Sequence, residues 1–180
     1  IVDKLYCTVA NLHPKQMKDS TCLVIPAYVS YKGKSYPVTF CSLGLNKSEE
    51  KVVKNIRYLT IPKTFYISKY DFRNFTSLLS VSCEDGVERI GDYAFYQLPE
   101  LQWVYLPESI KEIGSYAFSG CNKLNKIYLF NENMKIGNGA FSNCKSLTYA
   151  YVNVHGVTMK QIFGDYKDNY LDTLDLGYRT

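Results

Sequence analysis

IGDYAFYQLPELQWVYLPESIKE, residues 90–112, is followed by IGSYAFSGCNKLNKIYLFNENMK, residues 113–135, and by IGNGAFSNCKSLTYAYVNVHGVT, residues 136–158. Each opens on Ile-Gly, at Ile90, Ile113 and Ile136, and carries Ala-Phe four residues on, at Ala94-Phe95, Ala117-Phe118 and Ala140-Phe141. The period is 23. One further step back reaches Ile67-Ser68 and Asp71-Phe72, a decayed copy in the same register. Leu78, Leu101, Leu124 and Leu147 hold the period as well, as do Phe75, Leu98, Cys121 and Cys144. A fixed period of this length marks a stack of short units, none of which buries its apolar face alone.

Within each unit a pattern Leu-x-x-φ-x-φ (φ apolar) recurs: Leu101, Val104, Leu106; Leu124, Ile127, Leu129; Leu147, Ala150, Val152. Weaker versions are Ile56, Leu59, Ile61, then Leu78, Val81, Cys83, and at the far end Leu171, Leu174, Leu176. Period-two alternation makes each a short strand with φ inward and its neighbours outward. The Ile-Gly segment is expected to turn the chain back, glycine supplying an unrestricted φ. Ala-Phe fits one helical or 3₁₀ turn that drops Phe into the core. Phe95, Phe118 and Phe141 are then one buried column. Cys121 and Cys144 share a column with Phe75 and Leu98 and are expected as buried thiols.

The run IGSYAFSGCNKLNKIYL (113–129) resembles the repeat of the BspA-like leucine-rich-repeat family, found chiefly on bacterial cell surfaces and in some parasitic protists. CLVIPAYVSYKGKSYPVTF (22–40) resembles the β-rich lead-in that often precedes such repeats. The likeness covers about residues 20–155; it is lost over 43–54 and after 156, where both ends read as caps. The resemblance implies an α/β right-handed leucine-rich-repeat solenoid with a parallel strand ladder and an N-terminal β-hairpin cap. Residues 1–45 would form the cap and 46–180 the solenoid, with regular repeats over about 64–155 and a degenerate C-terminal cap over 156–180. Strands are expected over 4–10, 21–31 and 35–41, the last two joined at Lys32-Gly33-Lys34. Short helices are expected from Ser48 to Asn55 and over 157–163, the latter stopped by Gly164.

The chain of 180 residues is 46% hydrophobic and 21% charged, which excludes a disordered segment. No apolar run approaches a membrane span. The net charge of +4 lacks the dense basic run of a nucleic-acid binder. The chain starts at Ile1 rather than Met, so a segment upstream is expected, with room there for a lipid anchor. His13 and His155 stand in no nucleophile or metal motif, and Asp165, Asp168, Asp172 and Asp175 match no calcium loop. No catalytic residue, metal or cofactor is expected.

Seventeen tyrosines against nine Phe and one Trp point to exposed aromatic surface. One outward strand column reads Thr60, Ser82, Tyr105, Tyr128, Tyr151; its neighbour reads Tyr58, Ser80, Trp103, Lys126, Tyr149. Such rings stabilise a strand ladder by themselves, and they are also the side chains that bind partners. Tyr58, Trp103, Tyr105, Lys126, Tyr128, Tyr149 and Tyr151 are the candidate ligand-binding set. Together with the resemblance, they lead us to expect a non-catalytic adhesion protein, secreted or on the cell surface, that binds an extracellular protein or glycan. The alternatives are glycan capture by the aromatic panel or a purely structural module of a larger surface protein.

Overall fold

A computed structural model describes residues 21–39, 53–69, 71–165 and 172–177. The chain begins with β1 (Cys22–Val24), then an antiparallel hairpin of β2 (Tyr28–Tyr31) and β3 (Lys34–Pro37). Its turn uses Lys32 at φ 48° and Gly33 at φ 73°. A ladder of parallel rungs follows: β4 (Tyr58–Ile61), β5 (Ser80–Cys83), β7 (Trp103–Tyr105), β9 (Lys126–Leu129), β11 (Tyr149–Val152) and β12 (Thr173–Asp175). β1 pairs with β4, so Cys22–Val24 is itself the first rung and the hairpin projects from that coil. The single strand expected over 21–31 is thus two, divided around Pro26, which has no amide to give a ladder.

The ladder consists of two sheets, β1-β4-β5-β7 and β9-β11-β12. Between them the Asn125 amide donates to the Gln102 carbonyl at 3.3 Å. A second parallel ladder, unexpected from the sequence, comprises β6 (Arg89–Ile90), β8 (Glu112–Ile113) and β10 (Lys135–Ile136), with Ile67 bridged to Ile90. The Ile-Gly pairs end these short strands. Helix is scarce: α1 (Met159–Phe163) starts at Thr158, whose hydroxyl accepts from the Gln161 amide at 3.1 Å, and stops at Gly164, φ 73°. α1 also supplies the Gln161 and Ile162 carbonyls to the amides of Gly139 and Phe141 at 2.6 and 2.9 Å. It thereby closes the turn side of the last regular coil. The strand expected over 4–10, most of the helix expected over 48–55, and His13, Asp168, Cys7 and Cys41 lie outside the described residues.

The core is a set of columns. Phe72, Phe95, Phe118 and Phe141 are fully buried, with successive ring centroids 4.9, 5.1 and 5.1 Å apart and planes within 6° of parallel. Ile56, Leu78, Leu101, Leu124 and Leu147 line the strand side, all at 0% exposure. Cys121 and Cys144 are buried free thiols; they donate to the Phe95 and Phe118 carbonyls at 3.2 and 3.3 Å. Burial pushes Cys121 up to about 12 and Cys144 well above the usual thiol range.

Glycine works differently from the sequence expectation. Gly91, Gly114 and Gly137 are not left-handed. A Cβ on Gly114 would lie 2.6 Å from the Gly91 carbonyl carbon and 2.6 Å from Asp92 Oδ1, and closer still to the Asp92 nitrogen. Gly91 and Gly137 meet the preceding coil in the same way. This column is glycine because backbone packs on backbone. The left-handed positions fall elsewhere, at Tyr93, Tyr116, Gly139 and at Gln97, Gly120, Asn143, each set keeping the period of 23.

Candidate functional site: the outward strand face

Strand register decides which side chains share a face. Tyr58, Ser80 and Trp103 are aligned, as are Thr60, Ser82 and Tyr105. On the second sheet Lys126 aligns with Tyr149 and Thr173, and Tyr128 with Tyr151 and Asp175. Both outward columns are therefore as expected within each sheet. Tyr58, Trp103, Tyr105 and Tyr128 are exposed by 48, 53, 67 and 41%. Lys126 is exposed, and Tyr149 and Tyr151 are half-buried.

The face is not one continuous stack. Ser80 and Ser82 separate Tyr58 from the Trp103 rung. Across the boundary between the sheets, Val104 is half-buried where Val81 and Ile127, its counterparts on flanking rungs, are 1 and 2% exposed. Beyond it the rings gather. Tyr128 lies 5.5 Å from Tyr149 and 6.0 Å from Phe130, and Phe130 lies 5.3 Å from Tyr151. The Lys126 ammonium sits 5.9 Å from the Tyr149 ring. Burial first, and then the Asp175 carboxylate, raise the pKa of the Tyr149 phenol, which as a neutral hydroxyl both donates and accepts.

Phe130 is the member the sequence reading missed. It is 42% exposed, one alternation beyond the strand pattern. Its column mates Pro107 and Asn153 are not aromatic, so a search by column passes over it. The only available signal was period-two alternation carried one step past Tyr128.

Elsewhere the titratable groups serve structure. Among the described residues no three His, Cys, Asp or Glu side chains converge to hold a metal ion. Asp165 pairs with Lys160 at 3.0 Å, while on the strand face Asp175 accepts from the Gly177 amide through Oδ1 at 3.0 Å. Glu88–Lys111, Arg89–Glu112 and Glu100–Lys123 tie adjacent coils at 2.6, 3.1 and 2.7 Å. His155 is exposed. No helix among the described residues is long and apolar enough to cross a membrane.

Residues 51–164 match the BspA type leucine rich repeat region in six copies. The chain belongs to the BspA-type leucine-rich repeat family. Solved structures with this fold include a leucine-rich repeat protein from Bacteroides ovatus, at 24% identity and a TM-score of 0.61. That likeness covers 85% of this chain and 39% of the other. The pneumococcal vaccine antigen PcpA is similar at 20% identity and a TM-score of 0.57, over 82% of this chain and 35% of its own. This BspA-type chain thus spans less than half of either protein. No curated protein matches it closely enough to count as a relative.

Proposed function

We propose that this BspA-type repeat domain is a non-catalytic binding module, secreted or displayed on a cell surface, whose outward strand face adheres to an extracellular macromolecule. The observation that carries this reading is the exposure of Tyr58, Trp103, Tyr105 and Tyr128 on a face where a purely structural ladder would be served by small polar side chains, as it is at Ser80 and Ser82. Large rigid rings contribute contact area at low conformational cost and concentrate binding energy. From Tyr58 to Tyr149 the face runs over four rung spacings, roughly 19 Å at about 4.8 Å each. That length suits an extended segment of a partner. A repeat stack holds such a surface rigid through neighbour-to-neighbour packing.

The test is a binding screen of the purified domain against immobilised extracellular-matrix proteins and glycans, with the Trp103→Ala/Tyr128→Ala variant beside it. Each truncation should weaken capture by about 2 kcal/mol while lowering the unfolding free energy from urea titration by no more than about 1 kcal/mol. If the double variant captures every ligand as well as the parent does, the aromatic face is ladder stabilisation only.

A further inference from the structure

The rings of Tyr128, Phe130, Tyr149 and Tyr151 form a four-cornered cluster over two rungs, with sides of 5.5, 6.0 and 5.3 Å. We propose that this cluster is a stacking subsite for a pyranose ring of a neutral carbohydrate, with Lys126 and Asp175 at its rim. The inference rests on reading the strand face as the ligand surface and names the ligand class for one end of it.

Three observations carry it. The first is ring geometry. In the interior repeat column, Phe72, Phe95, Phe118 and Phe141 lie within 6° of parallel and cover one another's faces, while the buried Phe65–Phe72 and Phe72–Phe75 pairs, at 40 and 72°, have their uncovered faces filled by other core side chains. On the strand face, rings on adjacent rungs are splayed by 44° for Tyr128–Tyr149 and 41° for Phe130–Tyr151. Splayed rings leave part of each face uncovered by its neighbour. A pyranose offers a matching surface, because the C–H bonds on one side of the ring make a flat apolar patch of similar width.

Size is the second. Taking an aromatic side chain as on the order of 200 Å², exposures of 41% for Tyr128 and 42% for Phe130 leave about 85 Å² each. Four rings then present at most about 300 Å², far below the roughly 800 Å² per partner of a stable protein interface. One or two sugar residues fit that footprint.

Charge is the third. Lys126 at one corner contributes a donor, and Asp175, aligned with Tyr151 on β12, contributes an acceptor. The Tyr149 hydroxyl, a neutral phenol, does both. Hydroxyl-rich neutral ligands use all three groups, whereas an anionic ligand meets the Asp175 carboxylate, exposed on the last rung.

The full chain should be titrated with lactose, cellotriose and chitotriose, followed by saturation-transfer NMR on the sugar protons, with sialyllactose as the anionic comparison. At least one neutral sugar should bind saturably at the millimolar level expected of a single shallow subsite. Phe130→Ala should weaken it about tenfold or more, and Phe130→Tyr should restore it, with the urea midpoint checking that both variants fold. The proposal is overturned if no neutral sugar saturates by about 10 mM, if Phe130→Ala binds as wild type does, or if sialyllactose outcompetes lactose. Should the sugars fail while protein capture stays sensitive to Trp103→Ala, only the carbohydrate subsite falls. Should both fail, the strand face loses its binding role altogether.

Discussion

Gly114→Ala separates two explanations of the repeat glycine. If Gly114 were kept for a left-handed φ, alanine would cost about 1–2 kcal/mol and asparagine, which tolerates that region, less. The structure gives another reason: the added Cβ would sit 2.6 Å from the backbone carbon of Gly91 on the preceding coil. Ordinary contact needs about 3.4 Å or more, so the coils must part by nearly 1 Å. That displacement acts on the backbone bonds that join these two coils beside the clash, the Gly114 amide to the Ile90 carbonyl at 2.8 Å and the Tyr93 amide to the Ser115 carbonyl at 3.0 Å. Stretched by about 1 Å, both leave hydrogen-bonding range.

Each lost bond costs about 0.5–1.5 kcal/mol net, and more where the orphaned group stays buried, so the change should destabilise the domain by about 3–5 kcal/mol. Gly33 is the control. It is left-handed at φ 73° with nothing within 4 Å of its notional Cβ, and Gly33→Ala should cost about 1 kcal/mol. Urea unfolding followed by far-UV circular dichroism and by the fluorescence of Trp103, the single tryptophan, measures both. A Gly114→Ala loss under about 1 kcal/mol, or a Gly114→Asn variant more stable than Gly114→Ala, would falsify the close-packing account.

Three further outcomes follow from the core. Phe118, stacked on Phe95 and Phe141 at 5.1 Å each, should lose about 3–5 kcal/mol on truncation to alanine; a loss below about 1 kcal/mol would place the ring outside the core. Cys121 and Cys144, buried with raised pKa values, should resist thiol reagents until denaturant is added, and rapid labelling of the native protein would contradict their burial. Burial also pushes the Asp71 carboxyl from 3.8 up to about 6, despite the Ser68 amide donating to it at 2.6 Å. The folded state therefore keeps a proton that the unfolded chain releases, and stability falls as pH rises from about 4 to about 6. Discounted for partial exposure, the fall is about 1–2 kcal/mol. Asp71→Asn should flatten that slope in a urea–pH series, and an unchanged slope would exclude Asp71 as its source.

Columns facing inward were legible because burial tolerates few side chains: Phe95, Phe118 and Phe141, or Leu101, Leu124 and Leu147, repeat almost without exception. The second ladder was not legible. Its strands of two residues are too short for period-two alternation to show, and its hydrogen bonds are backbone bonds that leave no side-chain signature. The glycine column was visible but its cause was not, since a missing Cβ reads the same whether φ or a neighbouring backbone demands it. The six left-handed sites that keep the period were hidden further, three of them being Tyr93, Gln97 and Tyr116, residues no turn rule places there.

The outward face shows the converse. Nothing forces an outward residue to repeat, so the reading there depended on composition and register. Strand register aligns Tyr128 with Tyr151 and Ser82 with Tyr105, as the period predicts within each sheet, yet the period also implied a single aromatic stack. Contact between rings needs more than a shared column: the rungs must also pair. β7 and β9 belong to different sheets, and the ring cluster forms on the far side of that boundary, where β9 and β11 pair over four residues. That is why Phe130, in no aromatic column at all, joins the cluster, while Tyr105, in the best of them, stands the most exposed of the strand-face aromatics at 67%. An aromatic surface on this fold is therefore set by where the rungs pair as much as by which residues recur. Phe130→Ala tests that dependence more directly than any substitution within the repeating columns.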